Sequence, residues 1–342
     1  MQDRRHFLKT GFSIAAASLA GAAGLVGARR TLAEEEASET NTVRLLYWKD
    51  GTTCHAPLDI LDDLLRDEGF EDVRYVPGAD TEGSERLARG DVDFAPDFAA
   101  SVAVSIDAGI PLVMVAGLHP ACFELFARGS IRSVGDLKGK TVGVGGTTQG
   151  DTDYMMLKIV ARSVGLDPEM DINWVAFGSG DPKDLLADEK IDAFMTFPPW
   201  AQELRAQKAG HVILNSAVDR PWSQYFCCMA IGNADFVRRN PIATKRVVRA
   251  VLRANDICTD KRDWVAKSLV DRGITPRYDY ARQGLDDVSY SAWRHEYDAE
   301  DAVRFWALRL RELGMIKSSP DTIIANGTDF RFLKEVRKEY GL

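Results

Sequence analysis

The stretch 139–160, GKTVGVGGTTQGDTDYMMLKIV, sets a short β-like run, a glycine cluster and two threonines ahead of a helical pattern. Free N–H groups and the dipole at a helix N-terminus favour negative charge, so this layout suits an anion. Two nucleotide patterns fail here on single residues. A phosphate loop needs Gly-Lys-Ser/Thr at its end, but Gly150 is followed by Asp151 and Thr152; a dinucleotide fingerprint from Gly143 needs glycine where Thr148 stands. A matching Gly51-Thr52-Thr53 occurs earlier in the chain. The candidate ligand contacts are therefore Thr52 and Thr53 in one turn and Gly146, Thr147 and Thr148 in the other, with the titratable donor His55 beside the first. The same threonines can also serve as helix caps, which leaves other N–H groups free for a carboxylate or sulfonate. Phe98 with the neighbouring Asp97, Phe197, Trp200 and Tyr225 complete the candidate set, the rings being suited to stacking a planar ligand.

Other chemistry is sparse. The cysteines are Cys54, Cys122, Cys227, Cys228 and Cys258, an odd number without C-x-x-C spacing, which disfavours a disulfide framework or a zinc ribbon. Adjacent Cys227 and Cys228 point to opposite faces if they lie on a strand, so no metal site and no catalytic role is expected of them. Beyond His6 the histidines stand singly at 55, 119, 211 and 295, and no HExxH or GxSxG occurs. No cofactor and no catalytic cluster is expected, and a binding protein fits better than an enzyme.

The N-terminus reads as an address. Arg4-Arg5-His6-Phe7-Leu8-Lys9 resembles the twin-arginine (Tat) export motif, followed by an Ala/Gly-rich run and a small-residue cleavage site near Ala33, so 1–33 is expected to be a removable signal peptide. Its removal leaves 38 basic and 50 acidic residues, a formal charge of −12 against −8 for the whole chain. Such a surface repels phosphate backbones and anionic lipid, which excludes nucleic acid as an expected partner. The remaining ~309 residues are enough for two domains, each with its own core.

Periodicity predicts strands at 43–48, 73–76, 92–95 and 112–117 with helices at 57–67, 83–89 and 99–108 between them, an α/β alternation with a parallel sheet. A second such set runs from 140 to about 215. At an offset of 99, Val73–Val76 falls on Ile172–Val175, Asp91-Val92-Asp93 on Lys190-Ile191-Asp192, and Phe98 on Phe197; at 95, Gly51-Thr52-Thr53 falls on Gly146-Thr147-Thr148. The expectation is two lobes of like topology with a cleft where the carboxyl ends of their strands face each other. The chain crosses between lobes at 124–129 and returns at 224–231, two strands that would form a hinge. The lobes are expected at 41–125 with 226–342, and at 126–225, the C-terminal helices packing on the first.

Gly90-Asp91-Val92-Asp93-Phe94, the run Ser133-Val134-Gly135-Asp136-Leu137-Lys138-Gly139-Lys140-Thr141-Val142, and Ile191-Asp192-Ala193 leading to Phe197-Pro198-Pro199-Trp200 resemble a known family. It is that of the bacterial periplasmic solute-binding proteins of ABC importers, in the nitrate/sulfonate/taurine and thiamine-precursor branch. The resemblance implies a type II periplasmic binding protein fold. It also implies a monomeric periplasmic protein that binds a small organic anion or heteroaromatic solute and hands it to a membrane permease. An enzyme related to thiamine-pyrimidine synthases is the alternative, although Cys227-Cys228 is shorter than the cysteine run of the yeast-type synthase. Asp151 and Asp153 depart from the family pattern after the glycine turn.

Overall fold

The structure is a computed structural model, and it describes residues 37–342 apart from 50, 79–82, 149–150 and 296. The expected signal peptide lies outside the described residues. Among those described, no helix is long and apolar enough to cross a membrane.

Ten strands follow in chain order: β1 (Thr42–Tyr47), β2 (Asp72–Pro77), β3 (Phe94–Phe98), β4 (Leu112–Pro120), β5 (Glu124–Ala127), β6 (Lys140–Val144), β7 (Ile172–Ala176), β8 (Ala193–Thr196), β9 (His211–Asn215) and β10 (Phe226–Asn233). They form two five-stranded sheets in the orders β2-β1-β3-β10-β4 and β7-β6-β8-β5-β9. In each, three parallel strands are followed by one antiparallel strand that has crossed over from the other sheet. The crossovers are the β4–β5 and β9–β10 connections, so the internal repeat is a repeat of topology, as expected.

The duplication extends to side chains. In one sheet the Asp93 carboxylate accepts the Arg44 backbone N–H at 2.7 Å; in the other, Asp192 accepts that of Thr141 at 2.9 Å. Each carboxylate also pairs with an arginine, Arg44 or Arg128. A carboxylate taken largely out of water needs such partners, and both lobes use the same solution where the parallel strands begin.

β10 is buried along its whole length because β3 and β4 flank it and helices cover both faces. The edge strands β2 and β7 keep exposed positions. The predicted helix over 57–67 is two short helices, Ala56–Asp59 and Asp62–Asp67, neither with a side-chain cap. Near the C-terminus, by contrast, Asp298 accepts from Glu300 N and Asp301 N and caps Ala299–Glu312, whose Val303, Trp306 and Leu310 are buried.

Candidate functional site

Between the carboxyl ends of the two sets of strands lies a cavity of about 350 Å³. Trp48, Lys49, Gly51, Thr52, Cys54 and His55 after β1 and Pro96-Asp97-Phe98 ending β3 line one side; Thr152, Phe197 and Trp200 line the other; Cys122 and Phe123 of one crossover and Cys228 of β10 form the floor. Phe197 and Trp200 meet edge to face at 5.3 Å and separate this cavity from a second, about 730 Å³, over the acidic residues Asp153, Asp181 and Glu203.

Of the residues expected to bind ligand, Thr52, His55, Asp97, Phe98, Phe197 and Trp200 line the first cavity. Phe98 is only 3% exposed and packs on Phe123 and Trp306, so it belongs to the core as much as to the wall, whereas Trp200 is 39% exposed. Thr52 caps the 3₁₀ turn Thr53–His55 and donates its hydroxyl to the Pro198 carbonyl at 2.5 Å, joining the lobes. Thr53 is fully buried, and its carbonyl accepts from the Tyr290 hydroxyl at 2.5 Å. Tyr225 stacks on Phe305 at 3.9 Å and lines neither cavity.

The second glycine turn differs most from expectation. Gly146, Thr147 and Thr148 line neither cavity. The turn's donors are taken by the chain's own carboxylates: Asp151 accepts from Thr148 N and its hydroxyl, both at 2.7 Å, and Asp153 accepts from Gly145 N at 2.7 Å. The helix N-terminus does attract negative charge, but two aspartates supply it.

Sequence reading missed Trp48, Lys49, Phe123, Thr152 and the cysteines of the floor. The rule that ligands sit beyond strand ends would have found Trp48, the residue after β1, whereas nothing local marks Cys122-Phe123. Lys49 brings a cation, and the half-buried Asp97 is pushed up to about 7 by desolvation, against the stabilising N–H of Phe98 at 2.7 Å.

The expectation that Cys227 and Cys228 face opposite ways is corrected: their Sγ atoms are 3.7 Å apart. Register shifts between β10 and β4 on both sides of Cys228 break the regular alternation. Cys122 Sγ lies 3.9 Å from Cys227 and 3.0 Å from Cys54, and His119 Nδ1 lies 3.9 Å from Cys227. All these residues are buried. Burial raises the Cys54 thiol, but the neighbouring Cys122 and His119 outweigh it and bring it down to about 6. Burial likewise lowers His119, yet the neighbouring Cys228 and Cys227 sulfurs carry it well above its ordinary value.

Two lobes of like topology around a cleft at the strand ends define the periplasmic binding protein fold. Residues 65–263, more than half of the chain, match the family model described as NMT1/THI5 like, and the chain belongs to that family. A curated relative in Brucella abortus (strain 2308), named for binding, is 27% identical over 136 residues, 40% of this chain and 41% of its own length. The match thus spans about two fifths of such relatives. The periplasmic nitrate-binding protein NrtA from Synechocystis PCC 6803 superposes with a TM-score of 0.72 at 16% identity, over 89% of this chain and 90% of that one. The alkanesulfonate-binding protein SsuA from Xanthomonas axonopodis pv. citri, bound to MOPS, gives 0.69 at 15% over 86% and 100%. The desulfurization enzyme DSZB gives 0.61 at 15% over 87% and 99%, so the fold carries an enzyme as well as binding proteins.

Proposed function

We propose that this chain captures a small organic solute, with a flat or apolar part and an anionic group, in the 350 Å³ cavity and delivers it to an ABC importer. The observation that carries this reading is the cavity's position between two equivalent lobes, with rings supplied from both: Trp48 and Phe98 from one, Phe197 and Trp200 from the other. Such a volume is at the small end of ligand pockets, and apolar walls with few polar groups are typical of them. Lys49 and His55 suit the anionic group, and the direct bond from Thr52 to Pro198 gives the closed state a latch. NrtA and SsuA bear names that record nitrate and alkanesulfonate, which makes the sulfonate, nitrate and thiamine-precursor solutes the first to try.

On this reading the protein is a periplasmic monomer, exported by the Tat route, with lobes at 41–125 plus 226–342 and at 126–225. A membrane permease receives the solute. Native mass spectrometry of unrefolded protein, followed by melting curves with alkanesulfonates, nitrate and pyrimidines, is the test. A saturable rise in Tm without turnover supports binding; conversion of a bound compound would replace it with the enzyme reading. Replacing Arg4 and Arg5 with lysine should hold the precursor in the cytoplasm, and unchanged periplasmic yield would remove the export assignment.

A further inference from the structure

The floor of the cleft contains a cluster of donor atoms to which solute capture assigns no chemistry, although Cys122 and Cys228 also line the cavity. His119 is the penultimate residue of β4, Cys122 lies in the crossover just beyond, and Cys227 and Cys228 follow Phe226 at the start of β10, where the other crossover returns. One donor atom from each of the four lies within 4.8 Å of the others, and all four residues are buried. A tetrahedral ion with metal–sulfur bonds of about 2.3 Å requires sulfurs about 3.8 Å apart. Cys122 and Cys227 stand at 3.9 Å, and Cys227 and Cys228 at 3.7 Å. The imidazole faces the Pro120 carbonyl from Nδ1 at 2.5 Å, the kind of outer bond that orients a ligating histidine and reserves Nε2 for an ion that displaces its proton. Nε2 is buried and has no hydrogen-bond partner.

We propose that His119, Cys122, Cys227 and Cys228 bind one thiophilic tetrahedral metal ion, zinc in the first instance, that clips the two crossovers together beneath the cleft. Three thiolates and one imidazole form a closed donor set of the kind that holds zinc structurally. Carboxylates are absent from the four, which disfavours magnesium and calcium. Cys122 and Cys228 also line the cavity, which provides the entry path for the ion. Binding releases the thiol protons to solvent and changes no oxidation state. Cys54, whose sulfur is 3.0 Å from that of Cys122, stands beside the site as a further thiol.

The test uses the mature protein, chelated under reducing conditions and titrated with zinc or cobalt(II) in the absence of solute. The proposal expects one equivalent per chain, tetrahedral cobalt absorption with a thiolate-to-cobalt charge-transfer band, and protection of three thiols against a thiol reagent. Tm should rise with the ion. Cys227→Ser and His119→Ala should weaken binding at least tenfold, while Cys258→Ser, at a buried cysteine outside the four, should leave it unchanged. Because the wild-type cobalt spectrum and thiol count need no variant, a misfolded mutant does not rescue the idea. Folded wild-type protein without the charge-transfer band would overturn it, as would a disulfide through Cys122 in the native protein or undiminished binding in Cys227→Ser. None of these readouts involves the solute, so solute capture stands or falls separately.

Discussion

Gly51-Thr52-Thr53 and Gly146-Thr147-Thr148 occupy corresponding places in the two lobes, after β1 and after β6, yet they do different work. In the first, Thr52 and Thr53 are buried, Thr52 caps its turn, and its hydroxyl reaches the Pro198 carbonyl of the opposite lobe. In the second, Thr147 and Thr148 are exposed and Asp151 and Asp153 occupy the N–H donors. Equivalent motifs thus confer equivalent topology without equivalent function. The chain occupies the donors of both turns: in the first, Thr53 N donates to the Pro198 carbonyl at 3.3 Å and Cys54 N to the Thr52 hydroxyl at 3.1 Å, across and within the lobe, whereas in the second the local carboxylates Asp151 and Asp153 accept them.

The ring pair at the ends of β3 and β8 offers the sharpest way to break this asymmetry. Phe98→Ala should lower stability by about 3–5 kcal/mol, since it removes a ring buried against Phe123 and Trp306. Phe197→Ala or Trp200→Ala should instead reduce solute affinity by about 1–3 kcal/mol with a smaller loss of stability. Denaturant unfolding and calorimetric titration separate the two, and equal effects from both lobes would erase the distinction.

Thr52→Val should cost about 1–2 kcal/mol, because a buried hydroxyl loses both its bonds and leaves the Pro198 carbonyl with only the longer bond from Thr53 N, 3.3 Å, while Thr148→Val on the exposed turn should cost under ~0.5 kcal/mol. Comparable changes in Tm for the pair would contradict the latch.

The smallest expected effect is a pH dependence. Asp97 is held near 7 in the folded protein against 3.8 ordinarily, so it is neutral in the cleft at about pH 5 and ionised at about pH 8.5. Its raised folded value means that stability from this group falls as pH rises from about 4 to 7. Affinity for an anionic solute should fall a few-fold as pH rises through about 7, and Asp97→Asn should flatten that profile. A profile unchanged by the substitution would place the titrating group elsewhere.

Sequence alone determined the alternation of strands and helices, the internal repeat, the two crossovers and the family, because these rest on local periodicity and on motifs read within a few residues. It also marked six residues of the cleft, those at strand ends or in the loops after them. The packing of distant segments decided the rest. Phe98 and Phe197 align in sequence, but only the C-terminal helix bearing Trp306 buries one of them more deeply. Cys54, His119, Cys122 and Cys227-Cys228 are scattered between positions 54 and 228, and no spacing rule joins them. They meet because β4 and β10 pair side by side at the crossing of the lobes, and because an irregular register turns two adjacent cysteines toward the same interior.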